Sequence, residues 1–265
     1  MTEQGKASFA SLMAADKPGH ENDAAAEKLH HENSSMTDCI RLEHTEDGLT
    51  LTDGKLSMRG DFMSLLPRIR RGNLHKELLV RAAGWKSMGE GKTDTPTPLV
   101  LDATAGLGED SFLLAAAGLR VELYERDPVI AQLLEDALER AAEDPELAPV
   151  VSRMTLHCED SIAAMQRIGQ MREAGEDAAF PDVIFLDPMF PGRTKSALVG
   201  KKFQLLQQLE KPCDDEQTLL SAAVLARPRR IVIKRPAKGP YLSGRKPDFS
   251  LPGKAVRYDV ILLHS

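Results

Sequence analysis

From Pro98 onward the chain alternates short apolar runs with segments of helical period, and no other feature restricts the fold as much. "PLVLDAT", "RVELYER", "MTLHCED", "DVIFLDP", "RRIVIKRP" and "AVRYDVILL" read as strands. Between them lie helical segments: "SFLLAAAG", ending on Gly118, "PVIAQLLEDALERAAE", opening on Pro128, then "SIAAMQRIGQMRE", "KFQLLQQLE" and "EQTLLSAAVLA". Strands that alternate with helices in this way predict a Rossmann-like α/β fold, a doubly wound and mostly parallel sheet with helices on both faces.

Upstream the pattern changes twice. Residues 1–38 are polar, rich in Ala, Glu and His and without a sustained period, and are expected to be a disordered tail. Residues 39–95 are expected to form a small N-terminal α+β subdomain and linker. "LTLTDGKLSM" alternates around Asp53-Gly54, a hairpin signal. "NLHKELLVRAAG" carries apolar residues at 74, 78, 79 and 82, a helical spacing that stops near Gly84, and "GEGKTDTPTP" reads as the linker. Residues 96–265 then make the main domain; 265 residues, 42% of them hydrophobic, suffice for one large core with a small appendage.

Several classes of function drop out. No apolar run approaches the ~20 residues of a membrane span, and the stretch Ala7–Ala15 is stopped by Asp16. Cys39, Cys158 and Cys213 are odd in number and widely spaced, which speaks against a disulfide framework or a metal site and for reduced thiols in a cytoplasmic protein. The net charge of -6 does not announce a nucleic-acid partner, so any such partner must meet a local basic face.

Three motifs point to an adenosine-containing ligand. "LDATAGLGEDS" ends a strand at Asp102 and places Gly106 and Gly108 before a helix that opens at Glu109 and Asp110. Glycine permits a sharp turn and close backbone approach, and the helix start offers N–H groups and positive partial charge. Glu125, with Arg126 beside it, closes the second strand about 20 residues on, where a carboxylate can accept from ribose hydroxyls. The bland alternative is a solvated strand-end acid. Glu159 and Asp160 end the third strand; Asp160 either accepts from an adenine amino group or caps the next helix, and residue type alone leaves both open. None of this separates a nicotinamide cofactor from S-adenosylmethionine.

"FLDPMFPG", Phe185–Gly192, does separate them. An exocyclic amine is a poor nucleophile because its lone pair is delocalised into the ring. Acceptors aimed at its hydrogens, the Asp187 carboxylate and the Pro188 carbonyl, help it pyramidalise and stabilise the charge that develops. Phe190 can stack on a base turned out of its helix. Asp-Pro by itself is a common turn dipeptide; the longer string is far more specific. Basic residues flank the motif: Arg193, Lys195, Lys201 and Lys202 after it, then Lys234, Arg235 and Lys238 around the fifth strand, with Lys234 and Arg235 the first choice for RNA phosphates.

With these residues on view, "LDATAGLGEDSFLLA", "YERDPV", "VIFLDPMFPGRTKSALVGKK" and "IVIKRP" closely resemble the ribosomal small-subunit methyltransferase J family. The resemblance runs from about Asp61 to the C-terminus. It implies a class I S-adenosylmethionine-dependent methyltransferase that modifies the exocyclic N2 amine of a guanine in 16S ribosomal RNA, free or within the small subunit. It also implies that the cofactor lies against Glu109, Asp110, Glu125, Arg126, Glu159, Asp160 and Asp187. The competing expectations are an adenine-N6 methyltransferase, a nicotinamide-dependent oxidoreductase, which would want glycine at Ser111, and a non-catalytic ribosome-assembly protein.

Overall fold

The computed structural model describes residues 40–70, 74–84, 97–188, 205 and 215–263. The expected tail over 1–38, the linker segment 89–96 and nearly all of "KFQLLQQLE" lie outside the described residues.

Near the N-terminus β1 (Arg41–Thr45), β2 (Gly48–Thr52) and β3 (Ser57–Met58) form an antiparallel sheet in chain order. The expected hairpin is the β2–β3 pair, whose turn is held by the Asp53 carboxylate accepting from Lys55 N at 2.8 Å and Leu56 N at 2.7 Å. The expected helix after residue 73 is shorter than its periodicity suggests. A 3-10 turn at Leu74–Lys76 gives way to a helix only at Leu78–Ala82, because Glu77 between them is extended (ψ 130°).

The main sheet comprises β4 (Leu99–Asp102), β5 (Arg120–Tyr124), β6 (Met154–His157), β7 (Val183–Leu186), β8 (Arg230–Pro236), β9 (Phe249–Pro252) and β10 (Val256–Leu262). Its order is β6-β5-β4-β7-β8-β10-β9. The strands from β6 to β8 are parallel, and β10 runs antiparallel to both β8 and β9. Four helices carry most of the packing: α1 (Glu109–Ala116), α2 (Pro128–Glu143), α3 (Ser161–Glu173) and α4 (Glu216–Leu225).

Period-two alternation along the strands divides the core between the two faces of the sheet. Val100, Val121, Leu123, Val183, Phe185, Val232 and Val260 meet Phe112 and Leu114 of α1 and Leu134 of α2. Leu101, Tyr124, Ile184, Leu186, Ile231 and Ile233 meet Met165 and Ile168 of α3 and Leu219 and Leu220 of α4. Leu49, Leu51 and Met58 of the N-terminal sheet pack on Ile130 and Leu133 of α2. Leu49 N also donates to Asp136 Oδ1 at 3.0 Å, and an Arg140 guanidinium N–H donates to Gly60 O at 2.7 Å.

Strand order reverses about β4, since β5 and β6 lie to one side and β7 and β8 to the other. A crevice opens beyond the carboxyl ends of strands at such a switch, and this is where open α/β sheets take ligands. "LDATAGLGEDS" and "FLDP" both end there.

Candidate active site

β4 delivers Asp102 to the crevice with 1% exposure. The chain turns directly after it: Thr104 N donates to Asp102 Oδ1 at 3.0 Å, and Ser111 Oγ donates from α1 to Oδ2 at 2.6 Å. Among the described residues no cation forms an ion pair with Asp102. Burial, reinforced by the nearby Asp110 and Asp187 charges and opposed by the two hydrogen bonds, raises its pKa from 3.8 to about 7.

The two glycines of the turn differ in purpose. Gly106 has φ 53°, a Cβ there would meet nothing within 4 Å, and its N–H donates 2.9 Å to Glu125 Oε2. Gly108 has φ 74°, but a Cβ there would lie 2.8 Å from Leu134 and 3.3 Å from Phe62. Gly108 therefore serves close packing of the protein on itself, whereas the space beside Gly106 is open. Gly108 is also the N-cap of α1, and no side chain caps that end. The start of α1 consequently keeps its positive end turned to the crevice. By contrast α2 and α3 are capped by the carboxylates of Asp127 and Asp160.

Glu125, 9% exposed at the end of β5, is not a solvated acid. Its Oε1 accepts from Asp127 N at 2.8 Å while Oε2 holds the glycine turn. Burial shifts its pKa upward despite those bonds. Each carboxylate oxygen has two acceptor sites, so both can accept a further hydroxyl.

Across the crevice Asp187 follows β7. Its N–H donates to Thr104 Oγ1 at 2.7 Å, and its Oδ2 lies 2.8 Å from Lys234 Nζ, which comes from β8. The same ammonium pairs with Asp110 Oδ2 in the first turn of α1. Burial alone pulls the Lys234 pKa down. Asp187 and Asp110 together outweigh it and hold the ammonium above the ordinary lysine range. Tyr258, opposite Lys234 on β10, has its phenol pushed up to about 12 by burial and by the Asp110 charge.

The model of the family described as "Putative SAM-dependent methyltransferase" matches residues 24–263. The ribosomal RNA small subunit methyltransferase J of Thioalkalivibrio sulfidiphilus is 44% identical over 217 residues, covering 80% of this chain and 78% of the relative. That of Nitrosococcus oceani is 44% identical over 197 residues, covering 74% and 72%. The chain belongs to the ribosomal RNA small subunit methyltransferase J family. The crystal structure of a SAM-dependent methyltransferase from Neisseria gonorrhoeae, 30% identical, superposes with a TM-score of 0.67 over 89% of this chain and 87% of that one.

A methyltransferase of this family uses S-adenosylmethionine, a cation, and the crevice suits one. Asp110 and Asp187 share a single ammonium, Lys234, and Asp102 lies close enough to both carboxylates to feel their charge. The uncapped start of α1, the open side of Gly106 and the acceptors of Glu125 fit the polar parts of an adenosyl group.

Of the residues expected at the site, Asp102, Asp110 and Asp187 are joined through Thr104 and Lys234, and Gly106 is joined separately to Glu125. Pro188 is buried beside Asp187, whereas Glu109 and Arg126 are exposed flanking positions. Asp160 Oδ1 accepts from Ile162 N at 2.8 Å and Ala163 N at 3.1 Å, so its helix-cap role is occupied. Glu159 pairs with Arg167 at 2.6 Å. Phe190, Arg193, Lys195, Lys201 and Lys202 lie outside the described residues.

Two expectations are corrected. Arg235 is 1% exposed and pairs inward with Glu216 at 3.0 Å and with Pro240 O, so it has no surface to offer RNA phosphates. Lys234 turns into the crevice between two carboxylates instead of outward. Both follow from alternation along β8, which at these positions pairs with β10 and sends consecutive side chains to opposite faces of the sheet. Sequence reading also misses Thr104 and Ser111. In sequence Ser111 stands out only as a missing third glycine, yet it is the hydroxyl that binds Asp102.

Proposed function

We propose that this chain transfers the methyl group of S-adenosylmethionine to the exocyclic N2 amine of a guanine in 16S ribosomal RNA. The observation that carries the reading is the position of Asp187, at the switch point of the sheet and bridged to α1 through Lys234. Glu125 and the Gly106 turn hold the adenosyl end, and the sulfonium cofactor supplies the methyl group. The Asp187 carboxylate and the Pro188 carbonyl accept from the two amine hydrogens, which frees the nitrogen lone pair and stabilises the growing positive charge. Displacement at a sulfonium is in line, so fixing the amine against the methyl carbon contributes much of the rate. Phe190 remains the proposed stacking partner of the base.

With Lys234 and Arg235 directed inward, the proposed RNA contacts are Arg193, Lys195, Lys201 and Lys202 together with exposed Lys238 and Lys254, which follow β8 and β9. Among the described residues no helix is long and apolar enough to cross a membrane, and a cytoplasmic location is proposed from the ribosomal substrate.

The test is methyl transfer from labelled S-adenosylmethionine to small subunits lacking their modifications, followed by nucleoside analysis. N2-methylguanosine supports the reading. N6-methyladenosine keeps the cofactor and overturns the target, and no transfer despite tight cofactor binding overturns catalysis.

A further inference from the structure

Lys234 is an anomaly in this sheet. It stands in β8, paired with Tyr258 of β10 one residue beyond the end of the β7 pairing, with its side chain 17% exposed. A lone ammonium at such a depth is costly, and here it is compensated by two carboxylates from different segments. Asp110 comes from the glycine-turn side, where the cofactor is proposed to lie, and Asp187 from the acceptor motif after β7. Thr104, in the same turn as Gly106, receives the Asp187 N–H. The acceptor carboxylate is thus fixed through its backbone by one element and through Oδ2 by another.

We propose that Lys234 is the positioning residue for methyl transfer, holding Asp187 ionised and oriented toward the amine and tying it to the cofactor helix through Asp110. The inference rests on the reading of Asp187 as the group that meets the amine. With Oδ2 engaged by the ammonium and the backbone N–H held by Thr104 Oγ1, Asp187 is anchored from two sides. The positive charge also opposes protonation of Asp187, which otherwise faces the carboxylates of Asp102 from β4 and Asp110 from α1 and the phenol of Tyr258 from β10. A protonated Asp187 would lose half its acceptor capacity and the charge that stabilises the transition state.

The test compares wild type, Lys234→Met, which removes the charge and shortens the side chain by one atom, and Lys234→Arg, which keeps charge. Two readouts are taken: the pH dependence of single-turnover methyl transfer, and titration of the Asp187 carboxyl carbon by 13C NMR, assigned with Asp187→Asn. The expected result for Lys234→Met is a loss of about 100-fold near neutrality, partly recovered as pH rises. The acid limb and the Asp187 titration should both move upward, and Lys234→Arg should restore part of the rate and the original titration. An unchanged Asp187 titration in a folded Lys234→Met variant overturns the proposal. So does a rate loss that is flat with pH and matched by an equal loss of cofactor binding, since that marks a purely structural lysine. The NMR readout stands even if the wild type proves to methylate a different base, which separates failure of this inference from failure of the substrate reading.

Discussion

Gly106 N donates a 2.9 Å hydrogen bond to Glu125 Oε2, joining the turn after β4 to the end of β5 across 19 residues of sequence. The other Glu125 oxygen accepts from Asp127 N at 2.8 Å. Glu125→Gln replaces one of these acceptors by an amide NH2, so a donor must face a donor. A charged hydrogen bond of this kind contributes about 1.5–3 kcal/mol, and the expected loss is about 10- to 100-fold in S-adenosylmethionine affinity by calorimetry. Affinity within twofold of wild type would remove Glu125 from the cofactor site.

Gly106 and Gly108 should fail differently when replaced by alanine. At Gly108 the new Cβ adds a 2.8 Å clash with Leu134 to a left-handed φ of 74°, so Gly108→Ala should lower thermal stability markedly. The left-handed conformation alone costs roughly 1–2 kcal/mol. At Gly106 the Cβ enters open space at φ 53°, so Gly106→Ala should lose less stability and more cofactor affinity. Melting curves with and without S-adenosylmethionine separate the two. A reversed order would show that the cofactor lies elsewhere.

Much of this site is legible because chain order fixes it. The strand ends carrying Asp102, Glu125 and Asp187 fall at the switch point once strands and helices alternate, and the caps Asp127 and Asp160 stand directly before their helices. Pairings between elements distant in sequence are not legible. Nothing local distinguishes Lys234, which meets Asp110 across 124 positions, from a surface lysine. β9 escapes sequence reading because "FSLP" is short and its pattern half-exposed. It exists because β10 offers it an edge. A run of basic residues looks like a phosphate surface until strand alternation is applied to it, and Arg235 then has to point into the protein.

Asp102 predicts a pH effect of definite sign. Its folded-state pKa of about 7 lies above its ordinary 3.8, so the fold favours the protonated form. That contribution is complete below 3.8 and is lost as pH rises through about 7. Asp102→Asn should therefore gain stability relative to wild type as pH rises from 3.8 to about 7. A cationic cofactor acts in the opposite direction by favouring the carboxylate. S-adenosylmethionine binding at about pH 6.5 should release a fraction of a proton, seen as buffer-dependent binding heat in calorimetry and absent in Asp102→Asn. Heats independent of buffer would show that Asp102 does not sense the cofactor charge.

Asp187→Ala should separate binding from chemistry. It removes the acceptor for the amine while leaving Glu125 and the glycine turn in place. Single-turnover transfer should fall by about 100-fold or more, with S-adenosylmethionine affinity within tenfold of wild type. Full activity in this variant would refute the proposed mechanism.

The RNA surface can be mapped by contrasting cations that look alike in sequence. Lys238 and Lys254 are exposed beyond β8 and β9, whereas Arg235 is buried against Glu216. Removing one phosphate-binding cation should reduce the slope of log affinity against log salt by roughly 0.7–0.9. Lys238→Ala combined with Lys254→Ala should therefore flatten the slope for small-subunit RNA by between one and two, with melting temperature and cofactor affinity unchanged. Arg235→Ala should do the reverse. It strands Glu216, which also accepts from Ser243 N at 3.0 Å, and should cost about 3 kcal/mol of stability. The salt slope of whatever Arg235→Ala protein remains folded should match wild type. A flattened slope there, or an unchanged slope in the double lysine variant, would place the RNA on a different face of the sheet.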